Sequence, residues 1–142
     1  MMSCPRSRII RLLICLALAL AAGAPRLAEA EKAPVVLTDA TLDDTLKMQL
    51  PVLVDFWTVS CSPCATMAQR VAQLAEVYEG RAVIGTLDAQ DNPESVSKYG
   101  IESVPTILIF QDGQVVEQFV GVVPTETLAN ALDDLLGSSS SN

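Results

Sequence analysis

Val52-Leu53-Val54-Asp55-Phe56-Trp57-Thr58-Val59-Ser60-Cys61-Ser62-Pro63-Cys64 is the stretch on which the reading of this chain turns. Residues 52–58 form a mostly apolar run bounded by Pro51 and by the cysteine loop. Such a run predicts a strand covered on both faces, hence central in a sheet. From Pro63 onward Met67, Val71, Leu74, Ala75 and Tyr78 recur at helical spacing until Gly80. Cys61 and Cys64 are the only cysteines beyond residue 30. Two thiols two residues apart, at the start of a helix that follows a buried strand, can close into a small disulfide and reopen, which suits electron-pair exchange with other thiols.

Outward from this stretch the pattern alternates. Val35-Val36-Leu37 predicts a short edge strand, and residues 38–50 an amphipathic helix with Leu42, Leu46 and Leu50 inward and Asp43, Asp44 and Lys47 outward. Residues 82–88 predict a strand. Asp91-Asn92-Pro93 opens a short helix that stops at Gly100. Strands are predicted at 106–110 and 115–120, joined by the tight-turn signal Asp112-Gly113. A last helix, 125–136, places Leu128, Ala131, Leu132 and Leu135 on one face, and Gly137 with the following serines predicts a disordered tail. The expected architecture is α/β: a mixed, mostly parallel central sheet with helices on both faces and a C-terminal β-hairpin plus helix.

The first thirty residues read as a secretory leader. Arg6, Arg8 and Arg11 precede an apolar stretch, 12–22, that is short for a membrane span. Ala28-Glu29-Ala30 is the preferred cleavage site, because Pro25 hinders the alternative after Ala22-Gly23-Ala24. The expected organisation is therefore a signal peptide at 1–30, with an uncleaved anchor as the alternative, a domain at 31–137 and a Ser-rich tail at 138–142. Beyond the leader sixteen acidic residues face five basic ones, a net charge of −11. That balance argues against nucleic acid as a partner and against an anionic membrane surface. Export implies a disulfide-permissive compartment, so a structural disulfide is an alternative for Cys61 and Cys64. A bridge closing so short a loop constrains little of the unfolded chain. The chain has no histidine. This removes Ser-His and Cys-His catalysis and histidine metal ligands, and a zinc site would need carboxylates or a second chain. No metal and no cofactor are expected.

Taken together, Val52-Leu53-Val54-Asp55-Phe56-Trp57, Cys61-Ser62-Pro63-Cys64, Lys98-Tyr99-Gly100-Ile101, Val104-Pro105-Thr106, Asp112-Gly113 and Val120-Gly121 resemble the thioredoxin family in order and spacing. The resemblance spans about 35–136 and implies the thioredoxin fold and thiol–disulfide exchange. Cys61, at a helix N-terminus that favours a negative sulfur, is the expected nucleophile; Cys64, one turn in, is the expected resolving thiol. Pro63 suits the first helical turn. Asp55 in a buried strand should be neutral or paired. The resemblance makes it a proton shuttle for the second thiol, while Thr86 stands where many relatives carry a lysine partner for it. On that ground Asp55 is expected to stay protonated further up the pH scale than in relatives with the lysine. Pro105 matches the family's cis-proline, and the Val104 backbone the position that pairs with extended substrate. Trp57 is read either as core or as a groove wall, and Gly121 as a place of close backbone approach. Three positions depart from the family: Ser60 replaces a tryptophan, Ser62 a glycine and Gln69 a helix-kinking proline.

The functional expectation is an exported protein-disulfide reductase acting through the Cys61/Cys64 dithiol, working as a monomer in a bacterial periplasm. Pro63 stands where strong oxidants and isomerases of this fold carry histidine. Its partners would be disulfide-containing proteins as substrates and a membrane thiol transporter as electron donor. The alternatives are an oxidase or isomerase of the same fold and, in a different class, a non-redox peptide-binding or chaperone module using the groove around Val104.

Overall fold

The computed structural model describes residues 33–139. The expected leader and residues 140–142 of the expected tail lie outside them. The elements run β1 (Val35–Leu37), α1 (Asp39–Leu46), β2 (Val52–Trp57), α2 (Cys64–Val77), β3 (Val83–Asp88), α3 (Pro93–Lys98), β4 (Thr106–Gln111), β5 (Gln114–Val120) and α4 (Thr125–Ser139). They form one five-stranded sheet in the order β1-β3-β2-β4-β5. The β1–β3 and β2–β3 pairs are parallel, as helical crossovers require; β2–β4 and β4–β5 are antiparallel. The sheet is thus evenly mixed rather than mostly parallel. The chain reaches β4 by a crossing that reverses its direction beside β2, which the periodicity of α3 alone does not reveal.

The apolar run 52–56 lies in the middle of the sheet and is buried throughout. Its alternation serves two cores. Leu53 joins Met67, Val71 and Leu74 of α2, Ile107 and Ile109 of β4, and Leu128 and Leu132 of α4. Val52, Val54 and Phe56 join Leu42 and Leu46 of α1, Leu108 and Phe110 of β4, and Ile101. Helices therefore cover both faces, α2 and α4 one, α1 and α3 the other. Asp112 (φ 52°) and Gly113 (φ 76°) both take the left-handed conformation that a two-residue hairpin of the primed type needs. Gly85 of β3 lets the edge strand approach, since a Cβ there would lie 2.5 Å from the Leu37 side chain.

Two helix ends differ from expectation. Helix α1 stops at Leu46, with the Lys47 N–H bonded to the Asp44 carbonyl. Leu50 precedes Pro51, a position driven out of helical geometry, and is half-buried beyond the helix end. Helix α4 continues through Gly137 to Ser139 instead of ending at 136, with the Ser138 hydroxyl donating back to the Leu135 carbonyl at 2.8 Å. Ser138 and Ser139 are therefore helical where the tail was expected. No helix among the described residues is long and apolar enough to cross a membrane.

Candidate active site

β2 ends at Trp57 and delivers the chain into the cysteine loop. A turn follows in which the Cys61 N–H bonds to the Thr58 carbonyl at 3.2 Å. Helix α2 begins at Cys64, with Pro63 (φ −64°, ψ −23°) as its N-cap residue. Cys61 therefore lies three residues ahead of the helix, and Cys64 opens the helix instead of sitting a turn inside it. The reason is local: Ala65 and Thr66 bond back to the Ser62 and Pro63 carbonyls, so the entry is a tight turn before regular helix starts. Cys61 and Cys64 are joined by a disulfide, S–S 2.07 Å, Cα–Cα 5.3 Å. The bridge holds the Cys61 sulfur at the N-terminal end of α2, where unpaired N–H groups and the helix dipole favour a thiolate on reduction. Cys61 is half-exposed and Cys64 is buried at 4%. The outer sulfur is the one a second molecule can reach.

Ser60, Ser62 and Pro63 are exposed around this bridge. The Val104–Pro105 peptide bond is cis. Pro105 is buried just before β4, and Thr106 registers opposite both Phe56 of β2 and Val120 of β5. Pro105 and Gly121 are thereby brought to the end of the sheet where β2 leads into the cysteines. Val104 turns its side chain to the α1/α3 core, and the β4 ladder starts only at Thr106. Gly121 (φ 87°) donates its N–H to the Pro105 carbonyl at 2.8 Å. A Cβ at Gly121 would meet nothing within 4 Å, so it is the positive φ that calls for glycine there.

Beneath the bridge lies a cavity of about 350 Å³ lined by Asp55, Trp57, Cys61, Cys64, Ala68 and Thr86, among others. Trp57 is half-buried and forms a wall of this cavity. Asp55 is 1% exposed, and its Oδ1 has no hydrogen-bond partner. Its neighbours in register are Thr86 on β3 and Ile107 on β4. Burial without compensation pushes its carboxyl up to about 7. The cysteines, Asp55 and Trp57 thus share one cavity; Val104 and Pro105, just before β4, and Gly121, just after β5, do not line it.

Two braces of the segment after Gly121 were not legible in the sequence. The Arg70 guanidinium donates to the Val123 carbonyl, and the Val123 N–H lies 3.3 Å from the Met67 sulfur. They pin the loop after Gly121 to α2. Met67 reads simply as a core position and Arg70 as a solvated one; each finds its partner more than fifty residues away, where no local pattern points.

The thioredoxin family model matches residues 33–134. The chain is 44% identical over 101 residues to the thioredoxin of Synechocystis sp., covering 70% of this chain and 94% of that protein. It is 44% identical over 99 residues to the thioredoxin of Staphylococcus aureus, covering 70% and 94%. To the thioredoxin of Alicyclobacillus acidocaldarius it is 38% identical over 104 residues, covering 73% and 99%. Fold, redox-ready cysteine pair and relatives agree: the chain belongs to the thioredoxin family and is a protein-disulfide reductase of thioredoxin type.

Proposed function

We propose that this protein is exported and delivers electrons to protein disulfides outside the cytoplasm, with Cys61 as nucleophile, Cys64 as resolving thiol and Asp55 as proton carrier. The carrying observation is the half-exposed Cys61 sulfur bridged to a buried Cys64 above an unpartnered carboxyl in one cavity. In the reduced enzyme the Cys61 thiolate attacks one sulfur of the substrate bridge, and the other sulfur leaves as a thiolate. Asp55 takes the proton of the Cys64 thiol. Cys64 then attacks the Cys61 sulfur of the mixed disulfide, releasing the second substrate thiolate and closing Cys61–Cys64. Two electrons pass to the substrate. A carboxyl near 7 is suited to accept and return a proton at neutral pH. The Val104 main chain and Gly121 offer the surface along which an extended substrate segment lies.

The leader reading supports export, and the acidic mature chain suits a freely diffusing monomer. A reductase outside the cytoplasm needs an electron source that crosses the membrane, hence a membrane thiol transporter as donor.

The decisive experiment is reduction of a model protein disulfide such as insulin by the pre-reduced protein. Cys61→Ser should lower turnover by more than about 10³-fold, because the nucleophile is gone. Undiminished activity would refute the redox reading. Equilibration with thiol buffers should give a potential of about −270 mV or lower; a value near −120 mV would reverse the direction of flow. Mass analysis of the protein from the periplasmic fraction should place its first residue at Glu31. Finding it only in the cytosol with the leader intact would refute export.

A further inference from the structure

The cavity under the disulfide contains a carboxyl that nothing in the described chain neutralises. Residues 33–139 hold four basic side chains. Lys47 pairs with Asp44 and Lys98 with Asp43, both at 2.6 Å. Arg81 stacks over the Tyr78 ring, and Arg70 donates to Val123. None lines the cavity. The residue across the ladder from Asp55 is Thr86, whose hydroxyl carries no charge. What remains is a hollow of about 350 Å³, walled by Trp57, Ala65, Ala68 and the disulfide, with Asp55 in its lining.

The geometry points to a receptor for a primary ammonium on a short methylene stem, which inserts beside the disulfide and pairs with Asp55. The walls suit the stem, since such chains bury their methylenes against apolar surface. The carboxylate suits the head: a charge-assisted hydrogen bond forms where burial otherwise penalises the anion. The net charge of −11 over residues 31–142 draws cations toward the domain. Because the cysteines line the same hollow, the ammonium would arrive next to a disulfide on the same ligand. The ligand class is therefore an aminothiol disulfide, or a protein disulfide with a lysine close to the reacting half-cystine. This deepens the reading of the site as a disulfide reductase by naming the substrates it prefers.

The ammonium site is tested without turnover. The oxidised protein, as in this structure, is titrated at pH 8 with n-butylammonium, with 1-butanol as the neutral control at matched ionic strength. Trp57, the only tryptophan and a wall of the cavity, reports occupancy by its fluorescence. Butylammonium should saturate in the millimolar range, roughly 1–30 mM, the scale of one paired charge and a short stem. Butanol should bind at least about tenfold more weakly. Asp55→Asn, which keeps the shape, should abolish the difference; Thr86→Lys, which puts a cation inside, should abolish butylammonium binding. Equal responses to amine and alcohol, or retention of the amine response in Asp55→Asn, overturn the proposal.

Turnover then assigns the source. Reduced protein acts on cystamine against bis(2-hydroxyethyl) disulfide, and on a peptide disulfide with lysine against norleucine beside the half-cystine. A rate ratio of about 3–10 in favour of the ammonium member is expected in at least one pair, falling to about one in Thr86→Lys. Preference only in the first pair assigns a small aminothiol, preference in the second a protein lysine. Ratios of one in both pairs overturn the substrate assignment. Failure to reduce any of the four refutes the reductase reading instead.

Discussion

The two faces of β2 are built from alternate residues of one six-residue strand, and they do different work. Toward α1 and α3 it presents Val52, Val54 and Phe56, all at most 1% exposed and all apolar. Toward α2 and α4 it presents Leu53, Asp55 and Trp57, a progression from closed core through a buried carboxyl to a cavity wall. The backbone and the ladder are common to both. What differs is how far each face spends its burial on packing. The first face stabilises the domain; the second sacrifices packing near the disulfide to keep space and a titratable group there. Functional sites are where such local conflicts are tolerated.

Truncation separates the two roles most sharply. Phe56→Ala should cost about 3–5 kcal/mol in denaturant unfolding, from lost burial plus an unfilled cavity. Its reduction potential should stay that of the wild type, since Phe56 packs in the α1/α3 core and does not line the disulfide cavity. A large change in potential at unchanged stability would show that the α1/α3 face also tunes the cysteines.

Asp55 gives a smaller effect with a distinctive pH signature. Its folded carboxyl titrates near 7 against 3.8 unfolded, so the folded state holds its proton longer. Stability from this group is full below about pH 4 and declines as pH rises through 7, by roughly 4 kcal/mol in all. Asp55→Asn should remove that decline, leaving a variant more stable than wild type at pH 8, and should slow insulin reduction at pH 7 by roughly 10²-fold. Asp39 at the other face has the opposite sign. Partial desolvation raises its carboxyl, but hydrogen bonds from Ser95 and Glu94 outweigh this and hold it below the usual range. Its contribution is present above the unfolded value and is lost as pH falls through the folded one. Unfolding midpoints measured from pH 3 to 9 should therefore lose the decline between about pH 4 and 7 in Asp55→Asn and part of the acid-side loss in Asp39→Asn. An unchanged decline between about pH 4 and 7 in the first variant would contradict the buried-carboxyl assignment.

How much of this was legible follows from which signals are local. The run 52–57 declared its central place because its apolar residues fall on both alternating faces and leave no solvated side. Asp112-Gly113 declared its turn because both residues tolerate positive φ. Asp55 stood out because a carboxyl in such a run is anomalous; Thr86 was marked only by the family resemblance, and the β2–β3 register then places it opposite. Helix ends were harder: Leu50 continues a helical spacing that Pro51 forbids, and Gly137 is no stop where Ser138 bonds back to Leu135. The cysteine loop misled by three residues, because spacing cannot separate a tight turn from the first helical turn. The Arg70–Val123–Met67 brace left no trace, its partners lying 53 and 56 residues apart. The antiparallel β2–β4 pairing, too, depends on where the chain turns after α3 and not on any periodicity within β4.

Each face also carries a long-range hydrogen-bonded tie centred on one buried side chain, and these two should differ in strength. On the α1/α3 side Asn92, 7% exposed, accepts from the Asp39 N–H at 2.7 Å and donates to the Asp88 carbonyl at 2.9 Å, while Asp39 accepts from the Ser95 and Glu94 N–H groups. The starts of α1 and α3 thus cap one another. On the α2/α4 side the Tyr78 hydroxyl lies within bonding distance of the Ala129 carbonyl, 3.0 Å, and the Asp133 carboxylate, 2.9 Å. Asn92→Ala should cost about 1–3 kcal/mol, because it strands a helix-terminal N–H and a strand-end carbonyl at a buried position. Tyr78→Phe should cost only about 1 kcal/mol: the ring stays packed, the exposed Asp133 turns to water, and the Ala129 carbonyl is left in helix. Chemical unfolding of both variants checks the order. If Tyr78→Phe proved the more damaging, the docking of α4 would depend on that hydroxyl more than on Leu128 and Leu132, and the face that carries the active site would be the more polar-bound of the two.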